Sequence, residues 1–247
     1  MYGWRAKIGH ISASRGDSLV YEFYRMMPEG FLLMNTTGRI RKLADDHIKN
    51  QMDFIEDASI DLEQSGADVV IASGSPQWTL MGNGSEVETE KRIQAKIQIP
   101  FATVITAEME AMRAMGIRKV VVSTPHREDM NERMERFLNN AGFQVLRIGG
   151  LGCLRNTEIA AQPIYASYKL SKKLYDEAPE ADGVFVHCPR WPTIDGVPLL
   201  EKEIGKPVVC SSQATIWLAL RLLKVREKIQ GWGRLMESLN SDSAVGK

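Results

Sequence analysis

ADVVIASGSP at residues 67–76 and ADGVFVHCPR at residues 181–190 align with each other without a gap, so the sequence contains an internal repeat. Each segment is a short apolar run of the kind that forms a buried strand, and each runs into a turn of small or strand-breaking residues. The alignment places Gly74 opposite Cys188. The chain is therefore predicted to consist of two related halves, each with one of these turns at the end of a strand.

Eight apolar runs along the chain predict buried strands. They lie at about residues 6–12, 30–34, 68–73, 101–105, 118–123, 143–148, 183–187 and 207–211. Helical patterns separate most of them, and the clearest runs from Ile48 to Leu62 and stops at Gly66. Strands that alternate with helices predict parallel sheets with helices on both faces.

The predicted fold is α/β, with two pseudo-symmetric, Rossmann-like halves, each a four-stranded parallel sheet, and the active site in the crevice between them. Residues 1–115 form the first half and residues 116–213 the second. The segment after residue 212 is expected to be an amphipathic helix followed by a polar tail, and residues 214–240 are expected to pack back on the first half. The apolar residues in phase on this helix are Ile216, Leu220 and Leu223.

The charge balance argues against several classes of protein. The 247 residues contain 31 basic and 31 acidic side chains, so no basic excess suggests a nucleic-acid partner. No stretch approaches the roughly 18 apolar residues that a membrane span needs, and the amino terminus shows no signal-peptide pattern. A small molecule is therefore the expected partner and the cytoplasm the expected location, while the oligomeric state is left open.

The cysteines and histidines do not have the spacing of a metal site. Cys153, Cys188 and Cys210 are odd in number and form no CxxC pair, which argues against both a disulfide framework and a zinc site. The four histidines show neither HxH nor HxxxH spacing. No metal is expected, and His10 and His187, which lie within strands, are expected to be packed or hydrogen-bonded core residues.

Cys188 and His126 are the candidates for chemistry because each lies where a strand ends. Cys188 precedes Pro189, which cannot continue a central ladder; its ordinary role would be that of a small buried hydrophobic residue. His126 closes the turn STPH at the same offset from its strand as Ser14 in the first half. An imidazole there can donate to an anion or titrate near neutral pH, and the alternative is a plain helix-start residue. Since ligands bind beyond the carboxyl ends of parallel strands, Gly74, Ser75, His126 and Cys188 should lie near one another.

Four longer segments resemble a known superfamily. They are SGADVVIASGS at 65–75, DMNERMERFL at 129–138, EAPEADGVFVHCP at 177–189 and GKPVVCSSQATIW at 205–217. Together with the repeated turns, they are similar to the aspartate/glutamate racemase superfamily, in the branch of arylmalonate decarboxylases and maleate cis–trans isomerases. Racemases of that superfamily have a cysteine at both turns, whereas the Gly74 and Cys188 pairing is similar to the decarboxylase pattern and disfavours a two-thiol racemase.

The resemblance implies decarboxylation without a cofactor. A malonate-type dicarboxylate would lose carbon dioxide, and Cys188 would protonate the α-carbon of the enediolate that remains. The family positions for donors to that enediolate fall on Ser75, Pro76, His126 and Pro189, where the decarboxylases have Thr, Ser, Tyr and Gly. The two prolines have no backbone N–H to donate, and Arg190 or a protonated His126 ring is the expected replacement.

The family pocket for the departing carboxylate is apolar, and this sequence departs from it. By resemblance the pocket residues are Ile40, Leu43, Gln77, Asn156 and Ile159. Gln77 and Asn156 stand where apolar residues are expected. Because an apolar pocket favours decarboxylation by desolvating the carboxylate, these amides weaken that case and suit a polar arm of the substrate.

Four functions are compatible with the sequence. The leading hypothesis is a cofactor-independent decarboxylase with Cys188 as proton donor and Ser75 and His126 as enediolate donors. The second is an isomerase or racemase of a small carboxylate, in which Cys188 is a nucleophile or base and His126 or Ser75 takes the other role. A binding protein that has lost its donors and a purely structural protein are the remaining alternatives.

Overall fold

The computed structural model describes residues 1–14, 17–38 and 45–240, and it contains two four-stranded sheets. The strands are β1 Ala6–Ser12, β2 Phe31–Thr37, β3 Val69–Ala72, β4 Phe101–Thr103, β5 Lys119–Thr124, β6 Gln144–Gly150, β7 Gly183–Val186 and β8 Val208–Cys210. Every pairing is parallel, and the strand orders are β2-β1-β3-β4 and β6-β5-β7-β8. The identical order in the two sheets confirms the predicted α/β fold of two pseudo-symmetric halves.

Helices connect the strands and cover the sheets. They are α1 Asp17–Met26, α2 Asp45–Gln64, α3 Ser75–Met81, α4 Ser85–Gln94, α5 Val104–Ala114, α6 Glu128–Asn140, α7 Asn156–Ala160, α8 Ala166–Asp176, α9 Val197–Ile204, α10 Ser211–Leu222 and α11 Arg234–Glu237, followed by a 3₁₀ turn at Ser238–Asn240. None of the helices in these described ranges is long and apolar enough to cross a membrane.

β3 and β7 are the repeated strands, and they occupy equivalent places in their sheets. Each lies between two other strands, and all four residues of each are buried. Burial on both faces explains why these strands are continuous apolar runs without polar alternation. Gly74 and Cys188 follow the carboxyl ends of these strands and lie at one place where the two halves meet.

α10 differs from the amphipathic helix that the sequence predicts. All ten residues from Ser211 to Leu220 are buried, including the polar side chains of its first turns. The helix contacts α5, α1 and β3 of the first half as well as β8 and α11, so no face is left for solvent. The segment expected to be a polar tail is not polar throughout, because Leu235 and Met236 within it are fully buried. Its last residues, 241–247, lie outside the described residues.

Candidate active site

A cavity of about 700 Å³ lies at the carboxyl ends of the two sheets. The residues singled out from the sequence that line it are Ser14, Gly74, Ser75, Pro76, Gln77, His126, Asn156, Ile159, Cys188, Pro189 and Arg190. Ile40 and Leu43 lie outside the described residues. The volume is within the range of small-molecule sites, which is about 300–1,000 Å³.

The two repeated turns share an uncommon backbone conformation. Gly74 has φ 129° and Cys188 has φ 101°. Glycine adopts such angles freely, whereas a residue with a side chain is strained there, and strain of this kind concentrates at functional sites. The N–H of Cys188 donates to Ser211 Oγ (2.8 Å), and the N–H of Trp191 donates to the carbonyl of Cys188 (3.1 Å), so the strained turn is held at both ends.

The turn at Gly74 has no room for a second thiol. A Cβ atom built at Gly74 would lie 2.9 Å from Ala13 Cβ and 3.0 Å from Gln77 Oε1. The amide of Gln77 thus fills the space that a side chain at position 74 would take. Of the two equivalent turns, only the one in the second half carries a thiol.

Gly74→Ala should lower the melting temperature because it adds both backbone strain and a steric clash. A cost of about 1–3 kcal/mol is expected, which corresponds to roughly 3–10 °C for a chain of this size. Thermal unfolding followed by circular dichroism measures the change. Gly74→Ala combined with Gln77→Ala should recover part of the loss. A double variant whose loss of stability equals the sum of the two single losses would contradict the clash.

The thiol of Cys188 is held in its protonated form. Burial raises its pKa to about 11, although the backbone N–H groups of Arg190 and Trp191 and the charge of Arg190 act in the opposite direction. Near neutral pH the group is therefore a thiol that can give a proton, and only a very small fraction is the thiolate.

Behind Cys188 lies a buried polar network centred on Glu108 of α5, which is fully buried. Ser211 Oγ donates to Glu108 Oε1 (2.5 Å), and Ser75 Oγ lies 3.5 Å from both carboxylate oxygens. His187 Nδ1 lies 3.4 Å from Glu108 Oε1. Because Ser211 also accepts from the N–H of Cys188, the network links the strained turn to the first half of the molecule.

His126 lies in the cavity wall beside His187, with ring centroids 5.5 Å apart. Burial, and secondarily the charges of His187 and Arg127, lower the pKa of His126 to about 3. With this pKa the ring is neutral near pH 7, so of the two replacement donors considered from the sequence, a protonated His126 ring is disfavoured. Its Nε2 atom is buried and has no hydrogen-bond partner among the described residues, which leaves it available to a ligand.

His10 is the hydrogen-bonded histidine that the sequence predicts. Its Nδ1 lies 2.7 Å from Asn35 Oδ1 and its Nε2 lies 2.7 Å from Ser73 Oγ. Since an amide oxygen only accepts, we assign the proton to Nδ1 and let Nε2 accept from the serine hydroxyl. His10 borders the cavity with both nitrogens already engaged.

Arg190 forms hydrogen bonds between the two halves at the cavity wall. Its Nη2 donates to the carbonyl (2.8 Å) and the hydroxyl (2.5 Å) of Ser14. Asn156 Nδ2 donates to the same hydroxyl (3.0 Å). Ser14 follows β1 of the first half, whereas its two partners belong to the second.

Comparison with known proteins identifies the family. The family model described as arylmalonate decarboxylase matches residues 21–236. The chain belongs to the arylmalonate decarboxylase family. This confirms the family resemblance drawn from the sequence and shows that the protein is a member of an enzyme family with a cysteine in the active-site region.

The relatives of this arylmalonate decarboxylase family member include enzymes named arylmalonate decarboxylase and enzymes named maleate isomerase. The chain is 29% identical over 177 residues to the arylmalonate decarboxylase of Bordetella bronchiseptica, covering 71% of this chain and 74% of the relative. It is 29% identical over 140 residues to the maleate isomerase of Nocardia farcinica, covering 56% and 54%. These comparisons leave both decarboxylation and isomerisation open.

Solved structures give the same pair of names. A crystal structure of arylmalonate decarboxylase has a TM-score of 0.80 at 26% identity, covering 94% of this chain and 99% of the other. The maleate isomerase Iso from Pseudomonas putida S16 has a TM-score of 0.87 at 19% identity, covering 95% and 99%. The fold alone is therefore common to enzymes of both names.

Sequence reasoning about this arylmalonate decarboxylase family member missed Glu108, Ser211 and the site position of His187. His187 borders the cavity, although it was expected only as a core residue. A signal for Glu108 is present in the sequence: it lies four residues after Val104 and four before Met112, both buried, so an acidic residue stands on the apolar face of its helix.

Proposed function

We propose that this protein is a cofactor-independent decarboxylase of a substituted malonate-type dicarboxylate. The observation that carries the proposal is that only one of the two equivalent turns carries a thiol, the protonated Cys188 on its strained turn, whereas a Cβ atom at Gly74 of the other turn would lie 2.9 Å from Ala13 Cβ. One acid on one side of the cavity suits a reaction that needs one proton delivered to one face. The substrate would be a small carboxylate.

The first step breaks the bond between the α-carbon and one carboxylate. Carbon dioxide leaves, and the electron pair passes into an enediolate whose charge lies on the two oxygens of the remaining carboxylate. Preorganised donors aimed at those oxygens stabilise the transition state, each by about 3 kcal/mol. Pro76 and Pro189 have no backbone N–H to donate, so side chains must donate the hydrogen bonds instead.

Two side chains are suited to hold the enediolate. The neutral ring of His126, as its Nε2–H tautomer, would donate from a buried nitrogen that has no partner among residues 1–14, 17–38 and 45–240. The hydroxyl of Ser75 is only loosely held by Glu108, at 3.5 Å from each oxygen, and can turn its proton toward a substrate oxygen. A neutral imidazole is a weaker acid than imidazolium, so it donates a hydrogen bond without transferring the proton.

The second step transfers the thiol proton of Cys188 to the α-carbon. The resulting thiolate accepts hydrogen bonds from the N–H groups of Arg190 and Trp191, and it regains its proton from water. Delivery from one side only would give a single enantiomer when the substituents make the product chiral.

Isomerisation of a small carboxylate is the second candidate, favoured by the relatives named maleate isomerase. If Cys188 acts there as a nucleophile, it must be a thiolate, and burial opposes that form by raising its pKa to about 11. The decarboxylase is therefore the better fit to the site.

Reaction in D₂O separates the two functions. We expect NMR to show carbon dioxide release from malonates and one deuteron at the α-carbon of the product, with no conversion of maleate to fumarate. Conversion of maleate without release of carbon dioxide would establish the isomerase instead. Saturable binding without turnover of any of these compounds would point to a binding protein.

The pH dependence of kcat should follow the protonated thiol. Cys188 donates only below its pKa of about 11, and His126 is neutral above about 3, so we expect kcat to stay flat from pH 6 to 9 and to fall at higher pH. Initial rates in constant ionic strength measure this profile. A kcat that rises with pH across this interval would instead indicate a reactive thiolate.

A further inference from the structure

The cavity that Cys188 lines is also bordered by residues of α3 and α6, two helices that contact each other. Gln77 lines it from α3 and Arg133 lines it from α6. Neither side chain has a part in the chemistry proposed above. The side chain of each has polar groups without a hydrogen-bond or ion-pair partner in the part of the chain that the structure describes.

Gln77 is a buried amide without hydrogen bonds. The residue is fully buried, and neither its Oε1 nor its Nε2 has a partner among the described residues. A buried polar group left in this state destabilises a protein unless something else satisfies it. Gln77 is among the residues that line the cavity, so a small rotation of its side chain would let a polar group of the ligand satisfy the amide.

The wall of the cavity is strongly basic, although the chain as a whole has no net charge. One acidic residue, Asp129, is found among the described lining residues, together with four arginines: Arg127, Arg133, Arg155 and Arg190. A surplus of guanidinium groups around a cavity favours an anionic ligand.

Three of these arginines already have partners. Arg127 Nε lies 3.1 Å from Asp129 Oδ1, and Arg155 Nε lies 2.7 Å from Glu158 Oε1. Arg190 is bound to Ser14. Arg133 is half-buried and makes neither an ion pair nor a side-chain hydrogen bond with the described part of the chain; its charge acts on Asp129 only at longer range.

We propose that the substituent on the malonate ends in a carboxylate, that Arg133 pairs with this carboxylate, and that the Gln77 amide donates to the same arm. The inference rests on the proposed function and names its substrate class, a malonate with a carboxyalkyl arm. An aryl substituent would cover the Gln77 amide without satisfying it and would leave the Arg133 guanidinium without its anion.

A comparison of two malonates of similar size tests the inference. Carboxymethylmalonate and phenylmalonate are compared by kcat/KM for carbon dioxide release. Their Kd values are measured by calorimetry in the Cys188→Ala background, where turnover is slow. We expect the wild type to prefer carboxymethylmalonate by about 10- to 100-fold, as hydrogen bonds to a charged group suggest. Arg133→Gln should lower this preference at least tenfold, mainly through KM, and Gln77→Leu should lower it in the same direction.

Arg136→Gln is the matched control. Arg136 lies on the same helix and is exposed, and its Nη1 lies 3.8 Å from Glu132 Oε2. It is not among the residues that line the cavity, so its replacement should keep the preference for carboxymethylmalonate. Equal or better use of phenylmalonate by the wild type, or an equal loss for both malonates in Arg133→Gln, would overturn the inference. If neither malonate is decarboxylated, the proposed function fails, and the ratio of the two Kd values still decides the specificity. Thermal melts of each variant show whether the fold is intact.

Discussion

Cys188→Ala should lower kcat for carbon dioxide release by about 100- to 10,000-fold, the usual contribution of a positioned general acid. Without the thiol, no acid is positioned at the α-carbon, so the enediolate is protonated slowly and more often recombines with carbon dioxide to give the starting malonate. Coupled measurement of carbon dioxide and product by NMR gives the rate. The same loss is expected in the deuterated product, because an enediolate that is not protonated recombines with carbon dioxide and gives neither product.

Two variants separate this role from packing and from strain. Cys188→Gly adopts φ 101° without strain, so it should keep the fold and show the same loss of rate. Cys153→Ser changes the other thiol that borders the cavity, whose Sγ accepts from Gln162, and it should retain the wild-type rate. A Cys188→Ala enzyme within a few-fold of wild type would remove Cys188 from the mechanism.

Glu108→Ala should reduce both stability and turnover. The substitution removes the acceptor of Ser211 and the nearest anion to Ser75 and His187, all of them buried. Buried polar groups left unsatisfied cost about 1–3 kcal/mol each, so we expect the free energy of unfolding to fall by about 3 kcal/mol or more. That corresponds to a melting temperature lower by roughly 6–12 °C.

The turnover effect of Glu108 is separable from its stability effect. At a temperature where the variant is folded, kcat should still be reduced, because Ser211 no longer fixes the N–H of Cys188 and the strained turn can relax. Glu108→Gln keeps the shape and one accepting oxygen and should lose less of both quantities. Glu110→Ala, which breaks a surface ion pair with Arg113 on the same helix, should cost no more than about 1 kcal/mol. Equal losses in Glu108→Ala and Glu110→Ala would contradict the network.

The two halves and the positions of the turns can be predicted from local sequence pattern alone. Buried parallel strands are continuous apolar runs, so β3 and β7 can be recognised in ADVVIA and ADGVFV. The residues that follow a parallel strand lie at the carboxyl end of its sheet, independently of the rest of the chain. The difference between Gly74 and Cys188 follows directly from the repeat. The strands and the residue types at their turns are local features, so a short window of sequence contains them.

The protonation states and hydrogen-bond partners of the site residues depend on the tertiary structure. Glu108 meets Ser211 across 103 positions of sequence, and α10 is buried on every side because α5, α1 and β8 all pack against it. The pKa of His126 and that of Cys188 depend on burial, which no window of sequence contains. Protonation state, strain and the unsatisfied amide of Gln77 arise only when distant segments exclude water from the same cavity, since desolvation acts through space and not along the chain.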